Sequence, residues 1–255
     1  VGIMLGVAVL IIVMSVMNGF RTELTNKILG FNPHVIIKPY NDVKIDVKFR
    51  DQLNKNFPDI QVLDSYSGEG VVINNDYAKG IMIKGLDPKN EKNSLFLKKI
   101  LIEGKKSKLK KSEIVVGKEL AIELNLAVGD KINLLSSVYI STPFGGLPKQ
   151  ETYSVEGIFS SGFYEFDKSV VFLNLNETLY FFDKTNRDIN LEVYLPNPLK
   201  ANDVKDKIGI MNNNFYIYSW IDLNKSFFSA LKVERNVMFI ILTLIIIVAA
   251  FNIIS

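Results

Sequence analysis

The residues of this 255-residue chain whose types and spacing invite a chemical reading are few: one histidine, no cysteine, a lysine-rich stretch, and one apolar segment set between two prolines. His34 stands between Pro33 and the run Val35-Ile36-Ile37. One imidazole acts as a general base only with a nucleophile beside it, and no nucleophile-elbow pattern occurs, so the expected role of His34 is structural. Without cysteine there is no disulfide framework, thiolate metal site or cysteine nucleophile. No G-x-x-x-x-G-K-[ST] phosphate loop is present, so any nucleotide hydrolysis belongs to another chain. The expectation is a chain with no catalytic residue, no metal and no cofactor of its own.

Two features remain. Lys98, Lys99, Lys105, Lys106, Lys108, Lys110 and Lys111 form a basic cluster without interleaved aromatic residues. That pattern describes a solvated loop rather than a surface that stacks bases, with attraction to anionic headgroups as the other reading. Net charge is only +3, too small to argue for nucleic acid. The segment Ser141-Thr142-Pro143-Phe144-Gly145-Gly146-Leu147-Pro148 places Phe144 and Leu147 between prolines and around glycines. Proline fixes φ and removes a donor, so the segment is expected to be a loop kept off the sheet, with apolar residues offered to a partner; a long hairpin folded back on the core is the alternative.

The elements that position these residues follow from charge and periodicity. All 30 Lys and Arg and 27 Asp and Glu lie between Arg21 and Arg235, leaving two uncharged apolar ends around a polar middle. Each end approaches the roughly 20 apolar residues that a bilayer core requires. Residues 1–20 are therefore read as a truncated first transmembrane helix and 237–255 as a truncated second one. Met17, Phe20, Leu24, Ile28 and Phe31 step by 3 and 4 along the sequence, as do Leu223, Phe227 and Leu231 ahead of Met238, which predicts stalk helices over 21–31 and 222–236. Ser219 with Asp222 resembles a capping box opening the second stalk.

Between the stalks, His34 to Lys38 reads as a strand, Val47 to Phe57 as a helix, and Val62 to Asn74 with Tyr77 to Leu86 as a hairpin through Asn75-Asp76. The grammar recurs as strand Leu191 to Leu195, helix Ala201 to Met211 and strand Phe215 to Tyr218. Two β-α-β units at the ends of the polar region predict an α+β fold with one split subdomain, 32–86 joined to 187–221. A β-rich subdomain is inserted at 87–186, carrying the apolar loop at 141–150.

Four stretches in order along the chain carry a resemblance. They are Ser15-Val16-Met17-Asn18-Gly19-Phe20-Arg21-x-Glu23-Leu24 with Ile28-Leu29-Gly30-x-x-Pro33-His34-Val35; Gly117-x-Glu119-Leu120-Ala121 with Gly129-Asp130-x-Ile132; Val155-x-Gly157-Ile158-Phe159-x-Ser161-Gly162-x-Tyr164-Glu165-x-Asp167; and Phe227-Phe228-x-Ala230-Leu231-x-x-Glu234-Arg235, ending in Ala249-Ala250-Phe251-Asn252-Ile253-Ile254-Ser255. Together they resemble the LolC/LolE permeases, with the single-permease LolF form, of the lipoprotein-releasing ABC transporter. The resemblance implies a bacterial inner-membrane protein whose domain between the first two helices is periplasmic, with a porter-like part and an inserted Sabre part. It implies as partners a cytoplasmic LolD-like ATPase dimer that binds the ATP, a second permease (LolE-like or a copy of this chain), the periplasmic chaperone LolA, and the lipoprotein taken from the membrane.

The family's Hook, which binds the chaperone, falls on Pro143, Phe144, Gly145, Gly146, Leu147 and Pro148, followed by Lys149 and Gln150; Glu151 departs from the basic residue common there. Met17, Phe20, Leu231, Met238 and Leu242 fall at the height of the family's lipoprotein cavity. A MacB-like efflux permease, an FtsX-like activator of cell-wall hydrolases and a two-span sensor ectodomain are the other classes with a similar hydropathy profile.

Overall fold

The computed structural model of the chain describes residues 2–29, 32–40, 43–74, 77–87, 97–104, 109–143, 145–212 and 214–254. It divides into two compact units, Pro33–Ser219 on one hand and Val1–Asn32 with Trp220–Ser255 on the other.

The unit Pro33–Ser219 begins with β1 (Val35–Pro39), α2 (Val47–Asn56), β2 (Gln61–Asn74) and β3 (Tyr77–Leu86); α1 (Gly2–Leu29) belongs to the other unit. It continues through β4 (Leu101–Gly104), β5 (Glu113–Gly117), α3 (Lys118–Glu123), β6 (Lys131–Thr142), β7 (Gly145–Phe159), α4 (Tyr164–Ser169), β8 (Val170–Asn174) and α5 (Leu175–Phe181). It closes with β9 (Asn190–Tyr194), a 3-10 turn (Pro198–Lys200), α6 (Ala201–Met211) and β10 (Phe215–Ser219).

Four strands at the ends of this unit run in the order β10-β1-β9-β2, all antiparallel. Counting only these strands as first to fourth, the order is 4-1-3-2, that of two interleaved β-α-β halves. One β-α-β half carries α2, the other α6. Asp46 caps α2 by accepting from the Phe49 amide at 2.8 Å. The helix buries Phe49 and Leu53, with the Phe49 ring 4.6 Å from that of Phe215 across the sheet. Each such side chain contributes about 1.5–3 kcal/mol by leaving water, so the 10-residue α2 is held by its two core residues rather than by propensity.

Strands β2, β3, β8, β5, β7 and β6 pair in succession, and β6 pairs back onto β2, which closes a six-stranded barrel. Alternate residues fill its interior: Val72, Ile81, Ile83, Ile114, Val116, Ile132, Leu134, Tyr153, Val155, Val171 and Leu173 are all buried in one cluster, joined by Phe181 and Phe182 from the end of α5. The insertion does not begin at residue 87. β2 pairs with β9 over Gln61–Ser65 and with β3 over Ser65–Asn74, so the change of partner falls inside β2, and β3 is a barrel strand throughout. The turn signal at Asn75-Asp76, outside the described residues, punctuates the hairpin and carries no information about which sheet its strands join.

In the other unit, α1 (Gly2–Leu29) is 28 residues long, α7 (Trp220–Leu223) is one turn, and α8 (Lys225–Ile254) is 30 residues long. At 1.5 Å per residue, α1 and α8 are each about 42–45 Å in length. Counted on the described residues, no helix is long and apolar enough to cross a membrane. The membrane reading thus rests on the sequence, in which 2–20 and 236–254 hold no charged residue. α1 and α8 touch. Phe228, Leu231, Glu234, Met238 and Ile245 are half-buried on α8, a stripe at helical spacing. Leu223 is exposed, because the chain leaves α7 before α8 begins and the two do not share one stripe. The Ser219 hydroxyl donates to Asn202 Oδ1 at 2.5 Å, so it ties β10 to α6.

Candidate functional site

The hairpin of β6 and β7 is long, and its outer half stands beyond the closed wall. β2 pairs with β6 only as far as Ser136. At that point the register slips: Leu135 faces Gln150 and the next pair is Tyr139 with Pro148, so β6 carries two extra residues. The Ser136 hydroxyl accepts from the Val138 amide at 3.1 Å and holds the bulge. Bulges bend and twist a strand, which releases the arm from the wall. Past it, Tyr139, Ile140, Ser141 and Thr142 pair with Pro148, Leu147, Gly146 and Gly145.

The expectation of a loop kept off the sheet is thereby corrected. Residues 145–150 are strand, and Pro143 lies in a turn. Proline is tolerated in an edge strand, and both strands of the arm are edges there, so Pro148 does not interrupt the pairing. Gly145 adopts φ +114°, the left-handed region a tight turn needs. Phe144 lies outside the described residues. Leu147 is 58% exposed. Tyr139 at 69% and Ile140 at 48% join it. Neither was singled out in the sequence, although their register opposite Pro148 and Leu147 would have revealed them once the segment was read as a hairpin.

Lys149 is not free at the rim. Its ammonium donates to the Tyr180 carbonyl at 2.6 Å and lies 3.2 Å from the Tyr180 ring centroid, fastening the arm's base to α5. Gln150 is exposed and Glu151 half-buried. Under the bulge, Val71, Met82, Leu135, Tyr139 and Pro148 with Glu69 line an open cleft of about 670 Å³.

Of the residues expected around an acyl chain, Met17 on α1 and Leu231 and Met238 on α8 are half-buried. Phe20 and Leu242 are helical, but their side chains lie outside the described set. Of the basic cluster, Lys98, Lys99, Lys110 and Lys111 are exposed, and Lys105, Lys106 and Lys108 lie outside the described residues.

His34 is buried, and its Nδ1 accepts from the Leu195 amide at 2.7 Å, a structural bond between β1 and the end of β9. Among the described residues no three His, Cys, Asp or Glu side chains converge as a metal site would require.

Residues 1–209 match the model of the MacB-like periplasmic core domain. The chain belongs to that family. Among relatives of this MacB-like chain, the lipoprotein-releasing system transmembrane protein LolC of Neisseria meningitidis is 31% identical over 259 residues, covering 100% of the chain and 62% of the relative. LolC of Xylella fastidiosa is 30% identical with the same coverage. LolE of Haemophilus influenzae is 29% identical, covering 100% of the chain and 63% of the relative. The chain therefore spans less than two thirds of the length of these relatives. The periplasmic region of MacB from Actinobacillus actinomycetemcomitans aligns with 79% of the chain and 95% of that structure, at 12% identity and TM-score 0.46.

The resemblance to LolC and LolE read from four motifs is borne out by these relatives. Two of the motifs meet in the MacB-like fold. A Cβ on Gly117 would lie 2.0 Å from the Asp167 carbonyl oxygen, so only glycine admits the backbone of α4. The buried Asp167 carboxylate accepts from the Ser161 amide at 2.8 Å and the Ser160 hydroxyl at 3.0 Å, which fixes the turn between β7 and α4. Glu123 at the end of α3 pairs with Lys79 and, at 3.7 Å, with Lys168. The Lys79 hydrogen bond, reinforced by both charges, holds the Glu123 carboxyl below its ordinary range. Gly117, Asp167 and Glu123 are therefore architectural.

Proposed function

We propose that the chain is a permease segment of a lipoprotein-releasing ABC transporter in the bacterial inner membrane. In this reading α1 and α8 are the first two membrane helices continued as stalks. Pro33–Ser219 is the periplasmic domain, with the barrel in the place of the family's Sabre part. The chain does mechanical work and no catalysis; ATP is bound and hydrolysed by a separate LolD-like dimer, and a second permease, LolE-like or identical, completes the pair. Lipoprotein drawn from the outer leaflet passes Met17, Phe20, Leu231, Met238 and Leu242, and the β6–β7 arm docks the chaperone LolA.

The observation that carries this reading is the alignment of the whole chain with proteins bearing the lipoprotein-releasing name. The exposed residues of both long helices support the membrane part: Ile11, Ile12, Val16, Phe239, Ile240, Leu244 and Phe251 form apolar surface far too extensive for water. An acyl chain entering between the helices gains almost nothing over the bilayer it leaves, at about 0.8 kcal/mol per CH₂ on both sides. The site must match lipid rather than exceed it, a task for flexible Met17 and Met238. Photocrosslinkers at these two positions in the assembled transporter are expected to capture lipoprotein. Capture confined to the exposed Ile11 refutes the site. The matched family is itself MacB-like, which makes export of another amphiphile the second reading; the captured species distinguishes the two.

A further inference from the structure

The sheet and the barrel share β2, and the two pairings of β2 overlap at one residue: Ser65 is the last partner of β9, opposite Asn190, and the first of β3, opposite Leu86. Beyond it on the barrel side, Gly68 and Gly70 on β2 and Gly85 on β3 let Phe182, Ile83 and Thr178 pack directly on the backbone, so the barrel half of the strand is held firmly. At Ser65 itself the overlap is a single residue, so the twist from sheet to barrel is not fixed by strand pairing alone. One set of buried polar groups spans the point. Lys84 Nζ on barrel strand β3 is 2.8 Å from Glu192 Oε2 on sheet strand β9, and both side chains are 5% exposed. Ser65, at the crossing itself, donates to Glu192 Oε1 at 2.8 Å, and the Tyr194 hydroxyl donates to Oε2 at 3.0 Å. The Tyr194 ring lies edge-on against His34, 5.7 Å between centroids, which extends the set to β1.

An ion pair buried this deeply adds little net stability over apolar side chains of the same shape, because desolvation offsets the attraction. What it adds is direction: a charge pair with two further hydrogen bonds is satisfied in one geometry only. We propose that Lys84 and Glu192, with Ser65 and Tyr194, form a latch that sets the angle between the barrel and the four-stranded sheet at the crossing in β2. The latch lies between lobes of one unit and is separate from the docking arm and from the helices.

Because the chain has no cysteine, nitroxide labels can be placed cleanly at Val128→Cys on the barrel and Lys207→Cys on α6, both exposed. Distances between them are read by double electron–electron resonance in the full chain, in nanodiscs. The latched protein is expected to give one narrow distribution. The double replacement Lys84→Met with Glu192→Gln removes both charges while keeping polar partners for the Ser65 and Tyr194 hydroxyls, and it is expected to fold yet add a second distance population. An unchanged narrow distribution in that folded double variant overturns the latch and leaves the ion pair with no role in orientation. If the double variant fails to fold, Lys84→Gln, which leaves the Glu192 carboxylate both hydroxyl bonds and replaces only its cationic partner by a neutral donor, is read by the same criterion.

Discussion

Truncating the arm separates docking from packing, and its size follows from exposure. Leu147 is 58% exposed and Tyr139 69% exposed, so more than half of each side chain is available to a partner and little is invested in the fold. Full burial of a leucine is worth about 1.5–3 kcal/mol, and the exposed share of Leu147 sets the loss at about 1–2 kcal/mol. That corresponds to roughly a 5- to 30-fold weaker complex. Tyr139 presents more surface and a hydroxyl, and as a preorganised aromatic on a paired strand it is the stronger candidate for an anchor worth about 2 kcal/mol or more. Titration calorimetry of the Pro33–Ser219 unit against the cognate periplasmic chaperone measures both, with thermal melts of the same samples alongside. Leu147→Ala and Tyr139→Ala are expected to weaken binding by these factors and to shift stability by less than about 0.5 kcal/mol, as exposed substitutions do. The reasoning is refuted if stability falls and binding does not, for then the arm packs on the barrel and offers its apolar residues to no partner.

Gly117→Ala is expected to destabilise the domain by about 3 kcal/mol or more, measured by urea denaturation, because its Cβ would meet backbone at 2.0 Å and backbone does not yield as a side-chain tip does. Tyr153→Phe is expected to be neutral or stabilising by up to about 1 kcal/mol, since the buried Tyr153 hydroxyl has no hydrogen-bond partner among the described residues; a loss of stability in the melt would reveal one. Burial, then the Glu177 and Glu151 carboxylates, also raise the Tyr153 hydroxyl far above its ordinary titration range, so alkaline pH does not relieve it. The Glu123 carboxyl titrates below its ordinary value of about 4.3, so its contribution is present above that pH and is lost as pH falls through the depressed folded value. Lys79→Met is expected to flatten that part of the acid limb in pH-dependent melts, and an unchanged limb places the acid sensitivity elsewhere.

Much of this architecture was legible in the amino-acid order. The two β-α-β halves announced themselves because a strand, a helix and a strand of ordinary length follow one another twice. His34 was correctly assigned to the frame, from the absence of any nucleophile in reach. In the segment 141–150, where Pro143, Pro148 and two glycines read as signs of a loop, the structure has a hairpin, the alternative reading, but one extending past the β2 pairing. Those signs are sound for a strand inside a sheet and misleading for an arm whose edges are both free, and nothing local to the segment tells which situation obtains. Barrel closure was equally out of reach, since it depends on β6 returning to β2 across more than 60 residues. So was the Lys84–Glu192 pair, two charges that sequence reading assigns to solvent and that only the crossing of β2 brings together.

The sharing of β2 also limits how the domain can be taken apart. A barrel excised at residue 87 would lose β3 and the second half of β2, leaving β8 and β6 as raw edges on either side of a gap in the wall. Such edges recruit strands from other molecules. A chimera that exchanges barrels between relatives must therefore cut β2 near Ser65, within a continuous strand, and carry Tyr66 to Asn74 with the graft. The insertion is less a module plugged into a host than a second sheet grown from the host's own strand, and its boundary runs through β2 rather than between elements.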